Sequence, residues 1–258
     1  MPANKKTKDW YEKNAEAYAA HVRDPKNSPY HAYYEKPAMH ALLPDLKDKS
    51  VLSIGCGSGE DSNYLKTHGA QKSVGIDISE ALIKIATDTY PDCEFLAMDM
   101  EKLDFPDACF DFAYSSLAIH YVEDWEGVFK EVFRVLKPQS HFLFSCGHPA
   151  RFAMDDASDN THSILKLEMS KDKNTKELII TGDYLAKRKI TDLFGDNTVD
   201  AWNMPLGDIA KNATDAGFLI ERLVEPRPVD ALKEIDPTVY YRLSKIPDFV
   251  IFKLMKAF

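Results

Sequence analysis

The chain has 258 residues, 45% of them hydrophobic and 28% charged, the balance of an ordinary globular protein. Lys and Arg number 32 against 41 Asp and Glu, a net charge of -9 that argues against non-specific nucleic-acid binding and against anchoring to an anionic membrane, since both need a basic face. No apolar run approaches the roughly 20 residues that cross a bilayer, residues 1–9 are polar and carry no secretory signal, and Cys56, Cys93, Cys109 and Cys146 are scattered without a C-x-x-C pair, as free thiols of a reducing cytoplasm are.

Residues 8–22 place Trp10, Tyr11, Asn14, Ala17, Tyr18 and His21 at three- and four-residue steps, which predicts a helix. A Pro-, Asn- and Ser-rich turn follows. A second helix is expected over 31–44, with Pro37 near its start or at a kink. The first strong strand is 50–54, and it runs into a glycine cluster. From there the pattern alternates: helix 58–68, strand 72–77, helix 79–89, strands 93–97 and 109–115, helix 124–136, strand 140–146. Such alternation predicts a parallel sheet with helices on both faces and right-handed connections. Residues 150–200 break it: they are polar, with short apolar runs at 164–169 and 178–181, and predict an inserted hairpin. Residues 206–217 read as a helix ended by Gly217. Strands starting at 218 and covering 247–254 are expected to pair antiparallel at one end of the sheet. There is no internal repeat.

The most informative segment is the strand that ends in Gly55-Cys56-Gly57-Ser58-Gly59 and turns into a helix. Glycines there allow a tight turn and close approach of backbone to a ligand, and the helix N-terminus offers free N–H groups. Asp77 closes the next strand, where an acid of a Rossmann-like sheet binds ribose hydroxyls. Its other reading is a helix N-cap, but Ser79 fits that role better and leaves Asp77 free. Asp99, just past the following strand, is an acceptor for an exocyclic amine such as that of adenine, or else one acid of a solvated loop. A nicotinamide dehydrogenase is the obvious rival. Its G-x-G-x-x-G fingerprint is broken here by Glu60, whereas Gly59 completes G-x-G-x-G. No G-K-[ST] follows the glycines, so a phosphate-binding P-loop is absent.

Taken in order, IGCGSGE, GIDIS, AMDMEKLDF and FDFAYSSLAIHYVED resemble the successive motifs of class I S-adenosylmethionine-dependent methyltransferases, nearest the small-molecule branch of ubiquinone/menaquinone-biosynthesis-type and trans-aconitate-type enzymes. The resemblance covers about 51–150 and 201–254. It implies a single methyltransferase domain over 1–258. Its expected fold is α/β: a Rossmann-like, doubly wound, mostly parallel seven-stranded sheet with an antiparallel last strand, N-terminal lid helices (1–45) and an inserted substrate cap (150–200). It implies that Gly55, Gly57 and Gly59, with Cys56 between them, pass under the methionine part of S-adenosylmethionine. Asp77, followed by Ile78, would hold the ribose, and Asp99 would face the adenine amine beside the Met100 backbone. Ser115 and Ser116 would lie beside the methionine portion, and Tyr18 would close over the cofactor, which leaves as S-adenosylhomocysteine. Related sequences carry His-Arg before Pro-Leu-Ser; here Asn203-Met204 precedes Pro205-Leu206-Gly207.

Methyl transfer from a sulfonium needs positioning above all, and a general base only when the nucleophile is protonated. Base candidates are His120, otherwise a buried histidine, Tyr121, and His148, which Pro149 would aim into the cleft. Tyr11, Tyr121 and Tyr184 are candidates for acceptor contact, and the N-terminal aromatics read either as core or as a lid. Lys187-Arg188-Lys189 reads as a solvated face or an anchor for an acidic substrate, and Asp155 and Asp156 read as loop acids rather than metal ligands. The expected activity is methylation of an O, N or C nucleophile of a small molecule, with no nucleic acid and no membrane, by a cytoplasmic monomer or homodimer. Ser115-Ser116-Leu117-Ala118 stands where amino-methylating nucleic-acid enzymes carry Asn/Asp-Pro-Pro-Tyr. The alternatives are a non-catalytic cofactor-binding protein that acts through a partner, and a nicotinamide-dependent oxidoreductase.

Overall fold

The computed structural model describes residues 5–151, 168–175, 177–181, 184–194 and 197–258. Helix α1 (Lys5–Arg23) opens the chain, with Asn14 at non-helical φ/ψ marking a kink in its middle. A π-helical turn (His31–Glu35) runs straight into α2 (Lys36–His40), where Pro37 occupies the first turn. The expected kink at Pro37 is therefore a change of helical pitch. Then come β1 (Ser50–Ile54), α3 (Glu60–Thr67), β2 (Lys72–Asp77), α4 (Glu80–Thr89), β3 (Glu94–Ala97) and β4 (Phe110–Ser115). After a 3-10 turn (Ile119–Tyr121), α5 (Trp125–Val135) leads into β5 (Leu136–Gly147). The segment expected as one hairpin holds two antiparallel pairs: β6 (Glu168–Lys171) with β7 (Leu178–Thr181), and β8 (Arg188–Phe194) with β9 (Asn197–Asn203). Asp155 and Asp156 lie outside the described residues. The chain ends with α6 (Leu206–Asp215), β10 (Leu219–Val224), α7 (Leu232–Ile235), α8 (Pro237–Leu243) and β11 (Phe249–Met255).

The main sheet has seven strands in the order β10-β11-β5-β4-β1-β2-β3. Its five neighbours from β5 to β3 run parallel, and β11 pairs antiparallel with both β5 and β10. Side chains that alternate along these strands fill two cores, as buried parallel strands must. Leu52, Ile54, Ala113, Phe142 and Phe144 pack with α5 and α6 on one face. Val51, Phe112, Tyr114 and Leu143 pack with Met39 of α2 and Leu65 of α3 on the other. Helix α5 shows the logic. Trp125, Val128, Phe129, Val132 and Val135 form one buried stripe, and Asp124 caps its N-terminus by accepting the Gly127 N–H. Phe144 stacks on Phe252 at 5.3 Å, and truncating such a side chain to Ala costs about 3–5 kcal/mol.

Strand β5 begins four residues earlier than the pattern predicts. Its register against β4 shifts between Phe110 and Phe112, Gln139 takes φ 62, and Pro138 interrupts the apolar pattern ahead of Ser140. Among the described residues no helix is long and apolar enough to cross a membrane.

Candidate functional site

The strand order reverses between β1 and β4, and the carboxyl ends of those strands open a cleft there, the place where ligands bind in open α/β sheets. Its floor is the turn after β1. Gly55 and Gly57 take φ +64 and +55, which L side chains rarely adopt. A Cβ on Gly55 would stand 2.3 Å from the Ala118 Cβ, and one on Gly57 would stand 3.3 Å from the Tyr18 ring. The floor is thus kept thin between two walls. Gly59 serves packing instead: a Cβ there would meet Ala86 and Phe95 at 2.9 Å, so this glycine faces α4 and β3 rather than the cleft. Its physical role differs from that of the first two.

Asp77 and Ile78 form one side of the cleft, with Asp99 and Met100 beside them. The Asp77 carboxylate is not free, as the sequence reading had it. Its Oδ2 accepts the Gly57 N–H and its Oδ1 the Ser79 N–H, both at 3.0 Å. Ser79 does cap α4, accepting the Leu82 N–H at 3.2 Å. Burial pushes the Asp77 carboxyl up, and those N–H bonds pull it back. Each oxygen keeps acceptor capacity toward the cleft. Asp99 Oδ1 accepts the Glu101 N–H, which fixes its loop.

Tyr11, Tyr18 and Tyr121 form the roof. The Tyr11 hydroxyl donates to that of Tyr121 at 3.0 Å, and the Tyr11 ring meets Tyr18 edge-on at 5.1 Å. Burial pushes both Tyr11 and Tyr18 well above the usual phenol range, so both stay neutral. The N-terminal aromatics therefore divide: these two line the cleft, while Tyr34 is core, packed with Leu232 and Leu243.

A second, more polar recess continues from the first past Tyr18, Gly55, Gly57 and Ser116. Cys56 lines it, along with His31, Lys36, Ser58, Glu60 and Asp61. The Lys36 ammonium pairs with the Asp61 carboxylate and donates to the Ser116 hydroxyl at 3.0 Å. Burial and the Lys36 charge hold His31 down to about 4, so its ring is neutral. Neither Lys36, Asp61 nor His31 stands out in the sequence. The one signal is an adjacent Glu-Lys pair inside an aromatic and apolar helix, where isolated charges need a buried partner.

Other predicted residues stand elsewhere. Ser115 lies behind the cleft wall, wholly buried, with its hydroxyl donating to the Ile54 carbonyl at 3.0 Å. His148 does not enter the cleft. Its Nδ1 accepts the Ala150 N–H, its Nε2 donates to Glu225 at 3.1 Å, and burial lowers its pKa; the ring clasps the end of β5 to the end of β10. His120 sits behind Tyr121, its ring 4.4 Å from that of Tyr121, and burial holds it at about 4. The Tyr184 hydroxyl receives the Leu206 N–H at 3.4 Å, at the start of α6. Lys189 pairs with Asp200 at 2.7 Å and Lys187 donates to the Glu123 carbonyl at 2.8 Å, so both ends of the basic run are held by this chain.

These features fit S-adenosylmethionine: a thin glycine floor, a carboxylate at the β2 end, and a recess carrying charges of both signs at the far end. The family described as methyltransferase domain matches residues 52–144, which hold the floor, Asp77, Asp99 and the turn after β4. A solved S-adenosylmethionine-dependent methyltransferase from Mesorhizobium loti superposes with a TM-score of 0.69 at 30% identity, over 86% of this chain and 97% of that one. Malonyl-[acyl-carrier protein] O-methyltransferase of Pseudescherichia vulneris is 31% identical over 130 residues, 49% of this chain and 51% of that protein. Phthiotriol/phenolphthiotriol dimycocerosates methyltransferase of Mycobacterium tuberculosis is 32% identical over 108 residues, 41% of this chain and 40% of that protein. This chain thus spans about half or less of those two relatives, but nearly all of the solved one. The chain belongs to the class I S-adenosylmethionine-dependent methyltransferase family.

Proposed function

We propose that the protein transfers the methyl group of S-adenosylmethionine to an O, N or C nucleophile of a small-molecule acceptor. The observation that carries this reading is the sequence of polar groups along one continuous cleft. Asp99 and Met100 suit an adenine, and Asp77 suits the two ribose hydroxyls. Lys36 and Asp61 suit an α-carboxylate and an α-ammonium, with Ser116 between the two spaces. Gly55 and Gly57 let the backbone approach, and Tyr11 and Tyr18 exclude water from above.

The cofactor supplies a methyl group already activated by its sulfonium. The chain's own residues have only to align it with the acceptor, worth several kcal/mol of barrier. Tyr121, Thr7 and Lys8 also line the cleft, and the acceptor is read as approaching past them. His148 is committed to Glu225 and His120 lies behind Tyr121, so neither is proposed as a general base. The names of the relatives, a malonyl-[acyl-carrier protein] O-methyltransferase and a phthiotriol/phenolphthiotriol dimycocerosates methyltransferase, support a small-molecule acceptor group without choosing one. Four free thiols among the described residues support a cytoplasmic setting.

Titration calorimetry tests the reading. The protein is expected to bind S-adenosylmethionine and S-adenosylhomocysteine at micromolar concentration and not NAD. Asp77→Ala is expected to weaken both by about tenfold, through hydrogen bonds lost to the ribose. Binding of NAD alone, or full affinity in a folded Asp77→Ala protein, would overturn it.

A further inference from the structure

Glu35 is wholly buried at the ends of β4 and β5. Its Oε1 accepts the hydroxyls of Ser116 at 3.0 Å and Ser145 at 2.6 Å. Its Oε2 has no hydrogen-bond partner among the described residues and lies 4.0 Å from the Lys36 ammonium. Burying a carboxyl this way is unfavourable, so a purely packing role would be filled better by an apolar side chain of the same volume. What the carboxyl does hold is a piece of strained backbone. The Ser145 hydroxyl that donates to Glu35 also accepts the Leu117 N–H at 3.0 Å. Leu117 stands at φ 51, a left-handed conformation that a branched L side chain avoids. Such a conformation persists only where its surroundings over-determine it.

Ser116, Leu117 and Ala118 are the cleft wall beside the glycine floor. Ala118 Cβ is the atom that a side chain on Gly55 would strike. Glu35 ends the π-helical turn and Lys36 opens α2, and as neighbours on a helix they point in different directions. Glu35 reaches the serines under the wall. Lys36 reaches Asp61 and, from the other side, the same Ser116 hydroxyl. One hydroxyl therefore receives from Lys36 and donates to Glu35, joining the polar recess to the strained wall.

We propose that Glu35 is a positioning residue for methyl transfer: through Ser145 and Ser116 it holds the 116–118 turn in the strained conformation that shapes the cofactor-facing wall. This rests on the reading that the cleft takes S-adenosylmethionine.

The test is S-adenosylhomocysteine titration calorimetry on wild type, Glu35→Ala, Glu35→Gln and Ser145→Ala, with a thermal melt of each. Glu35→Ala is expected to lose about tenfold in affinity at a temperature where it is fully folded, and Ser145→Ala about fivefold. Glu35→Gln keeps an oxygen for both hydroxyls and is expected to stay within about threefold of wild type. A Glu35→Ala protein with a lowered melting temperature but unchanged affinity would overturn the proposal and leave Glu35 a matter of stability alone. If Glu35→Ala does not fold, Ser145→Ala decides, since it removes the hydroxyl that links Glu35 to the Leu117 N–H while leaving Glu35 its Ser116 bond and Leu117 its bond to the Ser145 carbonyl, and unchanged affinity there overturns the proposal. If wild type binds neither S-adenosylmethionine nor S-adenosylhomocysteine, the reading of the cleft itself falls, an outcome distinct from equal binding by wild type and variants.

Discussion

Two parts of the chain outside the seven-stranded sheet are attached in different ways. Helix α1 is tied down along its length. Thr7 exchanges hydrogen bonds with the Asp200 backbone, Tyr11 joins Tyr121, and Arg23 pairs with Glu60 at 2.7 Å. Between them the Glu12 carboxylate accepts the Ser79 hydroxyl and the N–H groups of Glu80 and Ala81, all at 2.8–2.9 Å. That places an anion on the N-terminus of α4, where the helix dipole and unpaired N–H groups favour one. The β6–β7 pair is the opposite case. Met169, Leu178, Ile179 and Ile180 are between 48% and 74% exposed, so the pair contributes little buried apolar area to hold itself in place. The β8–β9 pair lies between these extremes, with Ile190, Val199 and Ala201 buried against the body. Reading the difference chemically, α1 is a built wall of the cofactor cleft, and β6–β7 is an appendage to it.

The sharpest way to break that comparison is at Glu12. Glu12→Ala leaves the α4 N-terminus without its anion and α1 without its main fastening, a loss of about 1–3 kcal/mol. Because α1 carries Tyr11 and Tyr18, affinity for S-adenosylhomocysteine is expected to fall by about tenfold in calorimetry. The effect should itself depend on pH. Against the penalty of burial, hydrogen bonds from Ala81, Ser79 and Glu80 hold the Glu12 carboxyl below the usual range. Its contribution is therefore present above the ordinary carboxylate pKa and lost as pH falls through the lowered one. Wild-type affinity in Glu12→Ala would show that α1 docks without this contact.

What was legible in the sequence follows the same divide. Strands β1 and β2 begin and end where the pattern places them, because parallel strands buried on both faces are compact apolar runs. The turn at Gly55 and Gly57 and the Ser79 cap are local signals and take the backbone roles the pattern gives them, whereas the bonds of Asp77 to the Gly57 and Ser79 N–H groups and the packing role of Gly59 are not marked by any pattern. Legibility fails where function depends on partners distant in the chain. Glu35 contacts Ser145 across 110 residues, and His148 contacts Glu225 across 77, so no spacing rule marks the first or warns that the second is a clasp. Ser115 and Ser116 are adjacent, yet strand alternation turns one into the core and the other to the cleft. The short helices α7 and α8 leave no pattern in the sequence, since four and seven residues are too few to show a period.

Acid should act on the body of the fold rather than on the β6–β7 pair. His31, His40 and His120 are each held at about 4 against an ordinary 6.5, burial being the largest cause in all three. A histidine kept neutral by the fold contributes stability that is complete above pH 6.5. That stability is lost as pH falls from 6.5 toward about 4, because the unfolded chain takes up protons the folded one refuses. Glu35 and Asp77, whose carboxyls burial raises, work in the opposite direction and offset part of this loss. The melting temperature is expected to be flat from about pH 7 to 8 and to drop steadily below 6.5. His40 stacks on Tyr64 at 3.6 Å, so His40→Phe keeps the stack and removes one titrating group. Its melting temperature should fall less steeply with acid than that of wild type; an identical slope would show that His40 does not contribute to the loss.

The smallest expected effect belongs to the β6–β7 pair, and its smallness is the point. Replacing residues 168–181 with a short Gly-Ser linker removes exposed apolar side chains that touch none of the cleft walls. The described contacts that fasten the neighbouring segment, Lys189 to Asp200 and Lys187 to the Glu123 carbonyl, lie beyond the replaced stretch and remain. Affinity for S-adenosylhomocysteine is therefore expected to stay within about twofold of wild type, the range of an ordinary surface change. A tenfold loss would move β6–β7 from appendage to wall and place it, with α1, among the elements that shape the cofactor cleft.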